Sequence, residues 1–195
     1  LLDYNLSIAV GVGFIALGGV AAEMGVIMLL YLDLAYDEKK RQGQMRTFKD
    51  LGHRPTGLDG SKTFCRMASQ HSGCPVLHQQ FLSLQLKEGS FDGIFANASL
   101  FHVPSLELPG VLRQLHRALR PDGILFSSNP RGNSEGWNGP RYGHYMELGP
   151  TEAFLKQAGF KIMHHYYRPE GLPREQQPWL AIVSQRQPMN CKQIP

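Results

Sequence analysis

The stretch "LELPGVLRQLHRALRPDGILFSSN", residues 106–129, joins a helical pattern directly to an extended one. Its apolar residues recur at helical spacing and share one face: Leu108, Val111, Leu112, Leu115 and Leu119. A turn before Gly123 ends this pattern, and the short apolar run "ILFSSN" then predicts a strand. A helix that leads through a short turn into an apolar strand is typical of a sheet covered by helices.

The same alternation continues on both sides of this stretch. The sequence predicts helices in "SKTFCRMASQHSG" (61–73), between Ser61 and Gly73 as caps, and in "PTEAFLKQAGF" (150–160). Strands are predicted in "HRPTGLD" (53–59), "PVLHQQF" (75–81), "FDGIFANASL" (91–100), "KIMHHYY" (161–167) and "WLAIVSQ" (179–185). This order predicts a largely parallel sheet, with a site at the carboxyl ends of its strands.

Composition narrows the functional classes. The 195 residues carry a formal charge of +4, with Lys and Arg spread along the chain, so we expect no nucleic-acid partner. The three cysteines, Cys65, Cys74 and Cys191, are widely spaced, as in proteins with free thiols. We expect no metal site, because His164 and His165 are adjacent on a predicted strand and point to opposite faces.

The stretch "GVGFIALGGVAAEMGVIMLLYL", residues 11–32, has glycines that suggest either a nucleotide loop or a membrane helix. A nucleotide loop needs a strand before it and an amphipathic helix after it. Instead, residues 8–32 form an apolar run of 25 residues, and about 20 suffice to cross a bilayer. We therefore predict a single membrane-spanning helix in contact with lipid. Its small residues, which would allow a partner helix to approach, are Gly18, Ala21, Ala22 and Gly25.

The longer segment "NLSIAVGVGFIALGGVAAEMGVIMLLYLDLAYDE" (5–38), which includes this run, resembles one transmembrane helix of the heavy-metal efflux pumps of the resistance-nodulation-division superfamily. The resemblance implies an intramembrane proton-relay role for Glu23. The alternative is a protonated or partner-bonded carboxyl group without a transport role. One helix cannot form a transport path, so pump activity is not implied by this segment.

Four later segments carry a second resemblance, to the class I S-adenosylmethionine-dependent methyltransferases, over about residues 45–186. They are "GHRPTGLDGS" (52–61), "FDGIFANASLFHVP" (91–104), "LHRALRPDGILFSSNPRG" (115–132) and "LKQAGF" (155–160), in that order and at the family's usual intervals. The resemblance implies a Rossmann-like α/β fold, S-adenosylmethionine as cofactor and a small-molecule methyl acceptor.

The resemblance also implies a set of cofactor-binding residues. Asp59, followed by Gly60, ends the second strand of the fold and would bind the ribose hydroxyl groups. Gln80 and Phe81 follow the third strand, where the family usually has an acidic residue that reads the adenine amino group. The amide oxygen of Gln80 can accept the same hydrogen bond without charge. Residues 97–99, which are Asn97, Ala98 and Ser99, would face the methionine part and the acceptor.

The family's first strand and glycine-rich loop are missing from the expected position. Before "MRTFKDLG" stands "DLAYDEKKRQG", which has no apolar strand and only Gly43 for the loop. We therefore predict a sheet without its first strand. The predicted organisation is a transmembrane segment (1–36), a junction (37–45), a methyltransferase-like domain (46–186) and a tail (187–195). Lys39, Lys40 and Arg41 beside the helix favour a cytoplasmic methyltransferase portion.

The loop "NPRGNSEGWNGPRYGHY" (129–145) supplies candidates for the acceptor pocket: Arg131, Trp137, Arg141, Tyr142 and Tyr145. A solvated loop without a special role is the alternative. His102 is the candidate for a catalytic base. The alternative is that its ring only packs against the loop. The segment "YYRPEGLPREQQPW" (166–179) would cover the site, with Arg168 and Arg174 available for an anionic acceptor.

The predicted function is methyl transfer to a small molecule, in a chain that lacks part of its cofactor site. The alternatives are a fragment of a cation efflux transporter and a non-functional fusion product. The transporter reading depends on the first 38 residues alone.

Overall fold

A computed structural model describes residues 48–188, and the chain divides into two compact units, Leu1–Thr56 and Gly57–Pro195. The described part of the first unit contains a turn in which the rings of Phe48 and His53 meet edge to face. The elements of the second unit are β1 (Gly57–Asp59), α1 (Lys62–Ser72), β2 (Val76–His78), β3 (Phe91–Asn97), α2 (Leu108–Ala118), β4 (Leu119–Pro130), β5 (Ser134–Asn138), β6 (Arg141–Tyr145), α3 (Leu148–Gln157), β7 (Phe160–Arg168) and β8 (Trp179–Arg186). Short 3-10 helices span Phe81–Ser83, Leu100–His102 and Arg174–Gln176.

The strands of the second unit form separate sheets. β1 and β2 pair in parallel, and a four-stranded sheet has the order β3-β4-β8-β7. β3 and β4 are parallel, whereas β8 runs antiparallel to both of its neighbours. The α/β fold with helices between strands is confirmed. The prediction of a largely parallel sheet is wrong for β8, because residues 169–178 turn back without an α-helical crossover.

Another difference concerns residues 129–145, which the sequence interpretation treats as a loop. Here β5 and β6 form a hairpin in which Asn138 pairs with Arg141. The reversal uses Gly139, whose φ of 58° lies in the left-handed region that glycine adopts without strain. Because Asn138 pairs with Arg141, the two turn residues are Gly139 and Pro140, and a glycine at the first turn position is a hairpin signal that the sequence interpretation did not use. As a result, this segment has its own sheet structure beside the four-stranded sheet.

Helices α1 and α2 agree with the sequence pattern. In α1, the Ser61 hydroxyl accepts a hydrogen bond from the Phe64 amide, and Gly73 ends the helix with a φ of 63°. In α2, the predicted apolar face is buried: Leu108, Val111, Leu112 and Leu115 are each at most 4% exposed. Leu119 is also buried but begins β4 instead of continuing the helix. The predicted turn follows it, as an irregularity of β4 with Asp122 at a φ of 62°.

The core lies between the four-stranded sheet and helices α2 and α3. Its fully buried side chains include Leu125 and Ile182 from the sheet, Leu155 from α3 and Val103 from the segment before α2. Each such side chain contributes about 1.5–3 kcal/mol by leaving water. Leu58 of β1 and Phe81 are partly buried and pack against the same core. The short β1-β2 sheet therefore packs on a shared apolar core.

The predicted membrane helix is not among the residues that the structure describes. Within residues 48–188, no helix is both long and apolar enough to cross a bilayer. The predicted membrane helix at 8–32 lies outside the described residues, as does the junction at 37–45. The same is true of Glu23 and of the small residues Gly18, Ala21, Ala22 and Gly25.

Candidate functional site

Asp59 lies at the carboxyl end of β1, immediately before α1. Its Oδ1 accepts a hydrogen bond of 2.7 Å from the backbone N–H of Ser61, which fixes the orientation of the carboxylate. The side chain is exposed, and its Oδ2 has no hydrogen bond to any residue in the described range. One oxygen of a fixed carboxylate is therefore available to a hydroxyl-bearing ligand.

Gly60 and Gln80, two of the cofactor-binding candidates, lie side by side. A Cβ on Gly60 would be 3.6 Å from Cγ of Gln80, which is an ordinary van der Waals distance. Glycine is therefore not sterically required at Gly60. Gln80 precedes the 3-10 helix of Phe81–Ser83 and is exposed. Phe81 differs from the prediction in that its ring is partly buried against the core.

Asn97, Ala98 and Ser99 form the carboxyl end of β3 and the turn that follows. Ala98 has a φ of 53°, an uncommon value for a residue with a side chain, and its N–H donates to the carbonyl of Ser128 at 2.7 Å. This turn leads into the 3-10 helix of Leu100–His102. Asn97 is exposed, and its Oδ1 accepts a hydrogen bond of 3.3 Å from Arg168. The cofactor candidates thus fall into two groups, Asp59 with Gln80 and Asn97 with Ser99, and no hydrogen bond among the described residues joins them.

His102 is exposed and held at one ring nitrogen. Its Nδ1 is 2.7 Å from the carbonyl oxygen of Tyr142. A carbonyl only accepts hydrogen bonds, so Nδ1 is the donor and Nε2 of the neutral ring keeps its lone pair. The ring also contacts that of Phe101, with centroids 3.9 Å apart. His102 therefore has the proton-accepting atom that a base requires, together with the packing contacts of a structural residue.

The hairpin β5-β6 is attached to the rest of the domain through Glu135. Its Oε1 accepts hydrogen bonds from the N–H of Ser105 at 2.6 Å and from the hydroxyl of Tyr142 at 2.7 Å. These donors favour the charged carboxylate and lower the pKa of Glu135 to about 2. The same hydrogen bond raises the pKa of the Tyr142 hydroxyl. The Tyr142 hydroxyl thus orients the Glu135 carboxylate within the hairpin and is not free for an acceptor.

Arg131 was predicted to line the acceptor pocket, but its guanidinium binds protein groups on every nitrogen. Nη1 donates to both carboxylate oxygens of Glu147, at 3.0 and 3.1 Å. Nε donates to the carbonyl of Gln177 and Nη2 to that of Arg174, each at 2.7 Å. The side chain is 17% exposed. Arg131 therefore fastens the segment 169–178 to the end of β4.

The remaining acceptor candidates belong to the hairpin. Trp137 is 74% exposed, and its ring meets that of Tyr142 edge to face at 5.6 Å. Arg141 is exposed, and no ion pair within residues 48–188 involves it. Tyr145 packs its ring over Gly143, where a Cβ would be only 2.5 Å from the ring, and against Phe101 at 5.7 Å. These residues share one hairpin, and none of them lines the open cleft that Asn97 lines.

Behind the hairpin lies a small cavity of about 30 Å³, lined by Phe101, Asn129, His144, Thr151 and Phe154 among others. His144 is 8% exposed, and its Nδ1 has no hydrogen-bond partner. The volume is enough for a water molecule and too small for a methyl acceptor.

An open cleft of about 690 Å³ lies at the carboxyl ends of β3 and β7 and at the amino end of the antiparallel β8. Its lining residues are Asn97, Tyr166, Arg168, Pro169, Glu170 and Trp179. Arg168 ends β7 and reaches across the sheet, where Nη2 donates to Ser128 Oγ and to Asn97 Oδ1. The guanidinium also lies over the indole of Trp179, at 5.6 Å from its centroid. The sequence reading named Arg168 as a cation for an acceptor, but only the long-range packing shows it beside Asn97.

Comparison with known proteins identifies the kind of domain. Residues 42–127 match the family described as "Methyltransferase domain". Among solved structures, the fold is similar to the 1,6-didemethyltoxoflavin methyltransferase of Burkholderia thailandensis, crystallised with S-adenosylhomocysteine (TM-score 0.61, 22% identity, 72% of this chain and 64% of that one). It is also similar to an S-adenosylmethionine-dependent methyltransferase of Methanosarcina mazei (TM-score 0.59, 15% identity, 69% and 82%). At these identities the likeness shows the fold.

Two relatives match shorter parts of the chain. The cation efflux system protein CusA of Escherichia coli is 47% identical over 49 residues, which are 25% of this chain and 5% of that protein. The mitochondrial arginine-hydroxylase NDUFAF5 of Danio rerio is 28% identical over 105 residues, 46% of this chain and 32% of that protein. This chain therefore spans only a small part of the length of these relatives.

Proposed function

We propose that this chain carries an S-adenosylmethionine-dependent methyltransferase domain with a Rossmann-like α/β fold, whose function is methyl transfer to a small molecule once its cofactor site is complete. The observation that carries the proposal is Asp59, an oriented carboxylate at the carboxyl end of β1 with one oxygen free of protein partners. A carboxylate at such a strand end is suited to hold the two hydroxyl groups of a ribose. The amide of Gln80 is exposed beside Gly60, which supports its proposed hydrogen bond to the adenine edge.

S-adenosylmethionine supplies, when bound, a methyl group on a positively charged sulfur atom. The residues of the chain bind the cofactor and orient it towards the acceptor. Asp59 and Gln80 hold the nucleoside, and Asn97 with Ser99 line the place where the methyl donor and the acceptor meet. Alignment of the reacting groups is the main contribution that a protein makes to such a displacement. Nε2 of His102 is the group that takes the acceptor's proton, because its tautomer leaves this lone pair free.

We further propose that the chain lacks the first strand of its sheet and the glycine loop that follows it. Two observations support this. Among the described residues, β1 pairs only with β2, and β3 pairs only with β4, so these parallel strands belong to separate sheets. In the sequence, the stretch before Met45 contains no apolar strand. Such a loss removes hydrogen bonds and apolar burial of the same order as the ~5–15 kcal/mol that stabilises a domain.

The experiment that tests the function restores the missing part. A strand with a GxGxG turn is joined before Met45, and transfer of labelled methyl groups from S-adenosylmethionine to a pool of small metabolites is measured. We expect transfer by the repaired protein, less transfer by its His102→Gln variant, and little or none by the chain as given. Label that appears only in protein or nucleic acid would contradict the small-molecule proposal. No transfer by a repaired, folded protein that binds S-adenosylhomocysteine would contradict methyl transfer itself.

The alternatives have observations of their own. The match to CusA favours a cation-efflux origin for part of the chain, and with the apolar run at 8–32 it supports a single-pass membrane location for the whole chain. If the chain is such a transporter fragment, it should alter the metal tolerance of a pump-deficient strain. A non-functional fusion would show neither methyl transfer nor metal tolerance. The match to a protein named arginine-hydroxylase favours a test for oxygen insertion in the same metabolite pool.

A further inference from the structure

We propose that the cleft beside Arg168 binds a carboxylate group of the methyl acceptor. This inference rests on the proposed function, because it assigns a substrate class to the same site. It starts from the contacts of the Arg168 guanidinium, which is permanently charged and half-buried. No acidic side chain in the described part of the chain forms an ion pair with it. A partly buried cation without a counter-ion gains free energy when an anion binds it.

The guanidinium is fixed in place by the protein on one edge and one face. Nη2 donates to Ser128 Oγ and Asn97 Oδ1, and Trp179 lies against the planar face. Ser128 is fully buried, so this edge is anchored in the sheet. A group already held in this way loses little side-chain entropy when a ligand binds, which favours affinity.

Nη1 of Arg168 is available to a ligand, because it has no hydrogen bond to any residue between 48 and 188. Nε is buried without a hydrogen-bond partner, so a small side-chain shift that brings it to a ligand oxygen would satisfy this donor as well. Carboxylates match the planar donor geometry of arginine best.

Position assigns this carboxylate to the acceptor. Asn97, which contacts Arg168, begins the turn proposed to line the place where donor and acceptor meet. The cleft is wide enough for a small molecule and offers Tyr166 and Trp179 for a planar apolar part. Glu170, on the cleft wall, disfavours a second negative charge there. The expected acceptor is therefore a small monocarboxylate with an apolar or aromatic body.

The test uses benzoate as probe and neutral benzamide as its match, titrated into the full chain in detergent by ligand-observed NMR. We expect benzoate to bind about ten-fold or more tightly than benzamide, as a charge-assisted hydrogen bond implies. Arg168→Gln should abolish the preference, whereas Arg113→Gln, an equal charge change on the exposed side of α2, should keep it. Glu170→Gln should strengthen benzoate binding.

Equal affinity for benzoate and benzamide, or an unchanged preference in Arg168→Gln, would overturn the proposal. If circular dichroism shows that Arg168→Gln does not fold, Arg168→Lys is used to test the proposal. Lysine keeps the positive charge but lacks the planar pair of N–H donors of arginine, so it should weaken benzoate binding several-fold. The competition with S-adenosylhomocysteine uses the protein repaired before Met45, where displacement of benzoate would assign the cleft to the cofactor and overturn the acceptor assignment. In that repaired protein, Arg168-dependent benzoate binding without any binding of S-adenosylhomocysteine would support this proposal and contradict the proposed function.

Discussion

Replacing Arg131 by methionine removes the side chain that fastens the segment 169–178 while keeping most of its apolar stem. The change breaks the paired hydrogen bonds to Glu147, at 3.0 and 3.1 Å, and the bonds to the carbonyls of Arg174 and Gln177. Hydrogen bonds to charged groups contribute about 1.5–3 kcal/mol each. Glu147 is 32% exposed and regains hydration, so the contributions do not add in full. We expect a loss of roughly 3 kcal/mol in the free energy of unfolding.

The assay is urea denaturation together with thermal unfolding. A loss of this size lowers Tm by about 6–12 °C in a chain of this length. Glu147→Gln is the matched control, because it keeps the shape and one acceptor and should cost less. In the double variant with Arg131→Met, Glu147→Gln should add little further loss, since the partner is already absent. Arg131→Met with unchanged stability but lost ligand binding would refute the reasoning and restore Arg131 as a substrate contact.

The remaining predictions concern pH, backbone strain and location. The pKa of Glu135 is about 2 in the folded protein, below its unfolded value of 4.5, so the stabilisation by this carboxylate is present above pH 4.5 and is lost as the pH falls towards 2. In urea denaturation, the free energy of unfolding should therefore depend less on pH in Glu135→Gln than in the unchanged protein. Parallel pH profiles of the two proteins would contradict this. Gly159→Ala should cost more than about 2 kcal/mol in thermal unfolding, because φ is +87° and the new Cβ would lie 2.8 Å from Nε2 of buried His116, whereas Gly149→Ala, with open space around it, should be neutral or stabilising. The full chain should resist carbonate extraction from membranes and residues 45–195 should not; a full chain found in the supernatant would remove the membrane prediction.

Much of the second unit follows from local sequence patterns. The buried face of α2 comes from apolar residues at helical spacing, and the ends of α1 come from Ser61 and Gly73. These signals are local, because a helix closes its hydrogen bonds within a few residues. The antiparallel direction of β8 was not predictable in this way. It depends on how residues 169–178 return to the sheet, which the spacing of apolar residues within β8 does not determine.

In the candidate site, too, some positions follow from local sequence and others depend on long-range packing. Asp59 is recognisable from sequence because it ends a short predicted strand and precedes the helix cap Ser61, so its neighbours in the chain determine its position. Arg131 and Arg168 lie in similar polar stretches, yet one holds Glu147 and backbone carbonyls while the other faces an open cleft. Their partners are between 16 and 71 residues away in the chain. Only the packed structure shows that Arg131 holds the segment 169–178 in place and that Arg168 is available to a ligand.

Calorimetric titration with S-adenosylhomocysteine tests the central claim most directly, that this is a methyltransferase domain whose cofactor site lacks its first strand and glycine loop. The charge-assisted contact of Asp59 contributes about 1.5–3 kcal/mol, whereas micromolar binding needs about 8 kcal/mol. We expect no measurable binding at micromolar concentrations by the unrepaired chain. We expect binding by the protein repaired before Met45, weakened about ten- to a hundredfold by Asp59→Ala. Micromolar binding by the unrepaired chain, or no loss on Asp59→Ala after repair, would contradict it.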